Sequence, residues 1–375
     1  MKKRHAIPLA LAFCCAAVAE DLTVPPPPPT TDPTAPAAPA PPTAEVAPAP
    51  AVAPAPAVAP ETAPAPTPAP APAAARGDKV AAAAGRNAAQ DRSKPVSLRL
   101  ELDAGYDSNV LREDTTTATA TDTEGFALGG ELRGTWRAIR NQKGQLNFIG
   151  EARYNNYPDE SSADLARIGA AAFGLLRLGG IDPGVVLGAN RQWIDGEGIA
   201  TILRGTLTVT RLSPGRAHFD SLSFDAYNVD YDDNDDASGV FSDLLWRHWW
   251  MPEAGNARRR VEFTLQGGLY SAEADVESYR MFKPGLGLLY RLGDQESGVW
   301  DVSAQTSVEF RTYDEGVVAE DAEDQTNWQI GASLDRWFGS WFAAGPFITY
   351  SLRESTRDDR DYDRVQVGVR LTADW

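Results

Sequence analysis

The chain carries a long series of short segments in which apolar and polar side chains alternate with a period of two residues. The last of them, DRVQVGVRLTADW, alternates without interruption from Val365 to the terminal Trp375. Such alternation predicts a β-strand with one apolar and one polar face, because successive side chains of a strand point to opposite sides. Fourteen segments of this kind can be counted, over residues 96–112, 124–140, 145–157, 164–178, 185–195, 199–212, 217–231, 239–251, 260–273, 279–292, 299–313, 326–338, 341–353 and 362–375.

The connectors between these segments also alternate, between a short set and a mostly longer and more acidic set. The short connectors are NQKG, GGIDPG, SPGR, PEAGNARR, GDQESG and FGS, and the longer ones include EDTTTATATDT, DDNDDAS, DEGVVAEDAED and ESTRDDRD. Short turns at one end and long loops at the other are typical of transmembrane barrels with an even number of strands. We therefore predict an all-β protein, a closed antiparallel transmembrane β-barrel of about 14 strands preceded by a disordered Pro/Ala-rich segment. A soluble β-sandwich, which also has alternating strands, is the alternative.

The aromatic residues and the last strand fit the same architecture. All ten Trp and all eleven Tyr follow residue 95, many near predicted strand ends, as in the interfacial girdles of membrane barrels. In lipid every backbone polar group needs a partner, so the sheet must close and its last strand must pair with its first. A terminal strand with spaced apolar residues and a final aromatic also resembles the signal that the bacterial barrel-assembly machinery reads, here Val367, Val369, Leu371, Ala373 and Trp375.

The beginning of the chain predicts export. Residues 1–19 are predicted to be a secretory signal peptide, with a basic start, a short apolar core and the cleavage sequence AVA. Residues 20–95 follow as a Pro/Ala-rich segment that cannot bury a core and favours extended polyproline II. A flexible spacer is one interpretation of it, and a tether that touches peptidoglycan is the other. Cys14 and Cys15 both lie in the signal, so the predicted mature chain has no thiol for disulfides, metal ligands or catalysis. A lipoprotein signal is the alternative, because these cysteines follow Leu11-Ala12-Phe13, although the bulky Phe13 fits it poorly.

Charges of both signs fall on the polar faces of the first, second, third and last predicted strands, which adjoin when the barrel closes. These charged residues of the predicted lumen wall are Arg99, Glu101, Asp103, Glu131, Arg133, Arg137, Glu151, Arg153, Arg364 and Arg370. A salt-bridged wall that holds the shape of the barrel is one interpretation of this pattern. A constriction field that selects or repels polar solutes is the other.

Several classes of function are disfavoured. The net charge of −17, much of it in the predicted long loops, argues against nucleic-acid binding. The acidic stretch 230–239 resembles a calcium loop only superficially, because the central Gly and the correctly spaced Glu are missing. It is interpreted as solvated surface, with loose binding of divalent cations beside lipopolysaccharide as the alternative. Beyond the signal the histidines are His218 and His248, and neither has a Ser or Asp at a recognisable catalytic spacing. We therefore predict that the chain is not an enzyme and that it holds no cofactor or metal.

The stretch LRLELDAGYDSNVLRED, and within it Gly105 to Val110, resembles the opening of the C-terminal barrel of the surface lipoprotein assembly modifiers. Related outer-membrane barrels of unknown function begin similarly. The resemblance implies an outer-membrane barrel with the strand number counted above, which delivers lipoproteins or soluble partners to the cell surface. Members of that family carry tetratricopeptide repeats before the barrel. This chain has the Pro/Ala-rich segment there, and no helical repeat with a period of about 34 residues.

The predicted location is the bacterial outer membrane, with residues 96–375 as the barrel and both of its ends in the periplasm. Three functions remain open: an export barrel of the modifier type, a passive channel or porin for small polar solutes, and a structural barrel anchored to the wall by its Pro-rich arm. Export predicts a weakly closed seam between first and last strands, a porin predicts a water-filled pore, and an anchor predicts a plugged lumen. The expected partners are outer-membrane lipids, lipopolysaccharide and the barrel-assembly machinery, with peptidoglycan and exported surface proteins as further candidates.

Overall fold

The computed structural model describes residues 94–109, 124–158, 163–232, 238–253, 256–273, 278–293, 298–313, 323–356 and 361–375. The predicted signal peptide lies outside these ranges, as does nearly all of the Pro/Ala-rich segment. Among the residues described, no helix is long and apolar enough to span a membrane.

Fourteen β-strands form a single antiparallel sheet over these ranges. They are β1 (Val96–Asp107), β2 (Gly125–Arg140), β3 (Gly144–Asn156), β4 (Leu165–Leu176), β5 (Asp182–Ile194), β6 (Glu197–Leu212), β7 (His218–Tyr231), β8 (Gly239–Trp250), β9 (Arg259–Ala272), β10 (Tyr279–Leu292), β11 (Val299–Tyr313), β12 (Asp324–Phe338), β13 (Phe342–Ser355) and β14 (Tyr362–Asp374). Each strand pairs with its neighbours in sequence and β14 pairs with β1, so the sheet closes into a barrel. The predicted barrel, with this number of strands, is confirmed.

The strand boundaries differ from the predicted ones by a few residues, and β10 and β11 coincide with them. β1 ends at Asp107, earlier than predicted, because the carboxylate of Asp107 accepts a hydrogen bond from the backbone N–H of Asn109 at 3.2 Å and turns the chain. β5 begins at Asp182 and includes Pro183, which the prediction left in a turn. A proline is tolerated there because it lies at the start of the strand, where one ladder hydrogen bond can be lost.

The connectors define two ends of the barrel. The turn end holds the start of β1, the end of β14 and connectors 141–143, 177–181, 213–217, 251–258, 293–298 and 339–341. The loop end holds the remaining connectors. One of these is short: β5 and β6 are joined by Asp195 and Gly196, whose φ angles of 48° and 81° are those of a tight hairpin turn. This connector is the short exception in a set that was predicted to be mostly longer, and the predicted spans already left only residues 196–198 here.

The two faces of the sheet have opposite chemistry. Large apolar side chains stay exposed on the outer face, including Leu98, Phe126, Leu187, Leu207, Leu269, Ile330, Ile348 and Val369. Buried side chains of the inner face are mostly charged or polar, including Arg133, Asn190, Arg204, Asp225, Glu262, Glu309, Arg353 and Arg370. A soluble protein has the reverse arrangement. The outer surface of this barrel is therefore suited to an apolar surrounding.

Two clusters of buried apolar side chains pack inside the described part of the barrel, one at each end. The turn-end cluster consists of Phe173, Leu175, Val186, Phe219, Trp249, Met251 and Ala257. The loop-end cluster consists of Ala200, Ile202, Val229 and Tyr231. Both belong to strands β4 to β8 and the connector after them, on the side of the barrel away from the junction of β1 with β14.

The seam between the first and last strands is paired along its whole length. At the turn end, the backbones of Leu98 and Trp375 exchange hydrogen bonds of 3.1 and 2.8 Å. At the loop end, the N–H of Ser108 donates to the carbonyl of Val365 at 2.9 Å, and the Ser108 hydroxyl accepts from the N–H of Val365 at 2.8 Å. The seam carries no gap in its backbone ladder between these two points.

Two glycines face each other in the loop-end half of the seam. Gly105 of β1 lies opposite Gly368 of β14, and a Cβ on Gly368 would come within 2.4 Å of the carbonyl oxygen of Ala104. The ring of Phe347, on β13, covers Gly368 from inside the barrel, and the guanidinium of Arg370 lies 4.9 Å from the centre of that ring. The close approach of the two backbones therefore requires glycine, and an aromatic ring fills the space that a side chain would occupy.

Candidate functional site: the inner wall of the barrel

The charged residues predicted for the lumen wall all lie on the inner face of β14, β1, β2 and β3. They are Arg99, Glu101, Asp103, Glu131, Arg133, Arg137, Glu151, Arg153, Arg364 and Arg370. The carboxylate of Glu101 binds two of them, at 2.8 Å from Nη2 of Arg99 and 2.9 Å from Nε of Arg370. Because Arg370 belongs to β14, this carboxylate joins three charges across the seam. Arg364 and Asp107 form a second ion pair across it.

The register brings like and unlike charges together at different strand boundaries. Between β2 and β3, Arg133 lies opposite Glu151 and Glu131 lies opposite Arg153. Between β1 and β2, Arg99 lies opposite Arg133, a like-charge neighbour that destabilises a strand pair. The carboxylate of Glu101, which lies between Arg99 and Arg370, offsets this repulsion. Glu101 likewise lies opposite Glu131, so β1 and β2 meet with like charges, and their counter-charges come from β14 and β3.

Ion pairs continue around the rest of the inner wall, where the sequence-based prediction named none. They are Arg204 with Asp225 at 2.5 Å, Arg247 with Glu262 at 2.8 Å, Lys283 with Glu309 at 3.2 Å and Arg291 with Asp301 at 2.6 Å. The signal was present in the sequence, since these residues also occupy polar faces of alternating strands. Only the pairing of neighbouring strands shows that each cation meets a carboxylate.

Matched charges limit what this wall can do. A buried ion pair contributes little net stability, but removal of one partner leaves an uncompensated charge and costs about 3–5 kcal/mol. The pairs therefore hold the inner wall in one arrangement. They also present groups of both signs to a solute, so the described wall favours hydrogen-bonding polar ligands over ions of one sign.

A row of aromatic side chains crosses the inner wall near the loop end. Tyr227, Phe241, Tyr270, Tyr279 and Tyr313 come from β7, β8, β9, β10 and β11, and each lies opposite the next in the strand register. Ring centres are 4.8 Å apart for the first pair and 5.3 Å apart for each of the last two. From the sequence we expected the aromatic residues near strand ends to form girdles on the outer face. This row lies inside the barrel instead, because its residues share the strand face of the buried charges.

The turn-end mouth is partly covered by the connector between β8 and β9. Met251 and Ala257 of this connector are buried in the turn-end cluster, and the guanidinium of Arg260 lies 4.5 Å from the centre of the Trp249 ring. Burial, together with the positive charge of Arg291, lowers the pKa of Arg258 to about 10. The connector thus carries a cation that stays protonated at neutral pH but is held against the wall.

Both histidines lie on the outer face at the turn end, next to an aspartate. Nδ1 of His248 is 2.8 Å from a carboxylate oxygen of Asp220, and Nε2 of His248 is 3.4 Å from Nδ1 of His218. His218 and Asp220 lie on β7 and His248 lies on β8. The pairing of these strands brings the three side chains together, although their spacing in the sequence matches no catalytic motif. No group of three or more His, Cys, Asp or Glu within the described ranges could hold a metal ion. The predictions that the chain is not an enzyme and holds no cofactor stay predictions.

The outer face also carries an ion pair at the loop end. The guanidinium of Arg191, on β5, binds the carboxylate of Asp232 and donates to the hydroxyl of Thr201 at 2.9 Å. The hydrogen bond from Arg191 lowers the pKa of Asp232 below its ordinary value. Trp193 lies beside the same guanidinium, with its ring centre at 6.0 Å. Charged and aromatic side chains therefore mark this rim of the apolar outer face.

The predicted assembly signal lies on the apolar outer face of β14. Its members Val367, Val369, Leu371 and Trp375 are exposed, and Ala373 shares their face. The ring of Trp375 lies 6.5 Å from that of Trp341, in the connector that joins β12 and β13. Recognition of this strand by an assembly machinery stays a prediction.

No protein-family model and no curated protein sequence matches the chain. Among solved structures, a bacterial polysaccharide outer membrane secretin is similar at 11% identity with a TM-score of 0.40, over 76% of this chain and 100% of that one. OccAB4 of Acinetobacter baumannii is similar at 9% identity with a TM-score of 0.39, over 76% and 100%. A loop-deletion mutant of the Vibrio cholerae outer membrane protein OmpT is similar at 10% identity with a TM-score of 0.39, over 75% and 99%. Because these similarities are weak in both sequence identity and TM-score, the function is inferred from the geometry and chemistry of the barrel.

Proposed function

We propose that the chain is an outer-membrane barrel that passes polar solutes or polymers across the membrane. The observation that carries the proposal is the opposite chemistry of the two faces of a closed sheet, apolar and exposed outside, charged and polar inside. Closure satisfies the backbone in lipid, because a closed sheet has no free edge. In this proposal the turn end faces the periplasm, where short turns are found in such barrels.

The proposed partners follow from the same placement. The outer face meets lipids and lipopolysaccharide, and the terminal strand from Val367 to Trp375 meets the barrel-assembly machinery. β1 starts at the turn end, and the segment that precedes it, residues 20–95, is the proposed contact with peptidoglycan. A chain in which residues 1–19 are joined directly to Val96 tests the last point, because loss of the arm alone should leave barrel assembly unchanged and remove co-purification with peptidoglycan.

The state of the seam bears on the choice between an export barrel and a channel. Lateral export of the surface lipoprotein assembly modifier type needs β1 and β14 to separate. Their backbone ladder is continuous, and the Glu101–Arg370 and Asp107–Arg364 ion pairs cross it. Each buried pair has to be broken on opening, and each broken pair exposes charge to an apolar surrounding. Passage through the lumen is therefore the better supported form of the proposal.

Conductance in planar bilayers tests it. We expect residues 20–375, refolded and inserted, to give steady ion conductance that depends on salt. Arg133→Gln removes one positive charge from the inner wall, so the reversal potential in a KCl gradient should shift towards cation selectivity. Arg336→Gln, on the outer face of β12, is the matched control and should leave it unchanged. A correctly folded barrel with no conductance contradicts a channel and leaves lateral export or anchoring as the function.

A further inference from the structure

Three partly exposed tyrosines form a patch on the inner wall at the loop end. Tyr227, Tyr270 and Tyr279 surround the buried ring of Phe241, which is 4.8 Å from the Tyr227 ring and 6.4 Å from the Tyr279 ring. We refer to these three tyrosines as the tyrosine patch. Their rings are fixed by the register of β7 to β10, and Arg311 packs on Tyr279 with its guanidinium 4.8 Å from the ring centre. The patch is therefore a preformed surface of aromatic carbon and phenol hydroxyls.

Neutral hydrogen-bonding side chains continue from the patch into the barrel. They are partly exposed and lie on the inner faces of β9, β11 and β12; we name them the amide strip, Gln266, Gln305, Ser307 and Gln329. Ser307 and Gln329 lie opposite each other in the strand register. The Nε2 group of Gln266 donates to the carboxylate of Asp243 at 3.0 Å, which fixes the direction of that amide. Aromatic surface and neutral donors and acceptors thus follow one another along a single side of the barrel.

Charge around the patch disfavours an anionic ligand. The carboxylate of Glu309 lies 3.2 Å from Nζ of Lys283 and also binds Arg311. A second carboxylate, Asp243, binds the amide of Gln266, which lies opposite Lys283 in the register, so two carboxylates accompany these two cations. The sequences of the neighbouring loop-end connectors are acidic, as in DDNDDAS after β7 and DEGVVAEDAED after β11. Among the described residues, the cations Lys283 and Arg311 beside the patch are already engaged by a carboxylate, which disfavours a polyanion as the ligand.

We infer that the tyrosine patch binds the sugar rings of a neutral oligosaccharide at the loop-end mouth, with the amide strip continuing the contact into the lumen. The face of an aromatic ring is electron-rich, and the C–H face of a pyranose ring packs against it. The hydroxyl groups at the edge of the sugar then exchange hydrogen bonds with phenols, amides and the serine, as polar groups in ligand sites commonly do. The inference rests on the proposed function, and names the substrate class of the lumen.

Calorimetric titration of the full barrel in detergent micelles tests the site without any membrane. The probes are maltohexaose, cellohexaose and chitohexaose, with a polyethylene glycol of similar mass as the control for unspecific polymer binding. We expect saturable binding of at least one hexasaccharide and none of the glycol. Tyr279→Leu should weaken that binding at least tenfold, and Tyr227→Leu, on the other side of the patch, should weaken it similarly. Absence of binding to all three sugars overturns the inference.

The controls separate binding from folding. Phe282→Leu removes an aromatic ring from the outer face of the same strand as Tyr279, and should bind as the unmodified barrel does. Tyr279→Phe keeps the ring, so a loss smaller than that of the leucine variant supports ring packing, and an equal loss overturns it. If the barrel binds sugar but does not conduct ions, the proposed channel is wrong and the sugar-binding site stands. If the barrel conducts ions but binds no sugar, the proposed channel stands and the sugar-binding site is wrong.

Discussion

Replacement of Asp107 by alanine tests the ion pair that joins the first and last strands at the loop end. The Asp107 carboxylate is fully buried, and accepts hydrogen bonds from Nε of Arg364 at 2.8 and 3.0 Å and from Nε2 of Gln366 at 2.9 Å. Its removal leaves the buried guanidinium of Arg364 without this carboxylate. The Tyr157 hydroxyl, 3.3 Å away, is neutral and cannot replace the lost charge.

The size of the effect follows from the cost of an uncompensated buried charge. Loss of one partner of a buried pair costs about 3–5 kcal/mol, which lowers the folding equilibrium constant by more than about a hundredfold. The double variant Asp107→Ala with Arg364→Met removes the uncompensated charge as well. It should recover at least half of the loss, because replacing both partners by apolar groups is often close to neutral.

Urea unfolding in detergent micelles, followed by tryptophan fluorescence, measures both free energies of unfolding. Glu354→Ala, an exposed carboxylate on the outer face of β13, is the control and should change stability by less than about 0.5 kcal/mol. The reasoning is refuted if Asp107→Ala costs less than about 1 kcal/mol, or if the double variant is as unstable as the single one.

Three further predictions concern the seam, the turn-end cluster and the loop-end rim. Gly368→Val should prevent normal closure, seen as loss of the heat-modifiable folded band on a gel, whereas Gly150→Val, where a Cβ meets no atom within 4 Å, should keep it. Trp249→Ala should lower the free energy of unfolding by about 3–5 kcal/mol, because its fully buried ring leaves a cavity, and Trp250→Ala on the outer face should cost much less in micelles. The pKa of Asp232 is lower in the folded chain than in the unfolded chain. Its ionised carboxylate therefore stabilises the fold above its ordinary pKa of about 3.9, and this stabilisation is lost as the pH falls through the lower pKa of the folded chain. Asp232→Asn should reduce the loss of stability between pH 5 and 3, measured by denaturant titration. If the variant loses as much stability over this pH range as the unmodified chain, the role given to Asp232 is wrong.

The strands were predictable because alternation is a local property. Each residue of a strand points to the side opposite its neighbour, whatever the strand pairs with, so the sequence of β10 and β11 yields both spans without knowledge of the fold. The failures are local too. A side-chain hydrogen bond at Asp107 ends β1 early, and Pro183 joins β5 because its position needs no N–H donor.

The candidate sites were predictable only in part. The polar faces of four strands located the charged wall, but the Arg99–Glu101–Arg370 contact joins residues from opposite ends of the barrel sequence. The aromatic row and the pair His218 and His248 escaped sequence reasoning for the same reason, since their members come from separate strands and have no shared local motif.

The sequence by itself determined the number of strands, the apolar and polar face of each, and the charge that the inside of the barrel must accommodate. Tertiary structure alone decided the register, and with it every contact between strands. The physical reason is the two-residue period of a strand. A slip of one residue reverses its faces and is excluded by the apolar pattern, whereas a slip of two keeps both faces and changes every neighbour. Closure of β14 on β1 sets that choice for the whole ring, and so places Glu101 between its two arginines and the tyrosines side by side.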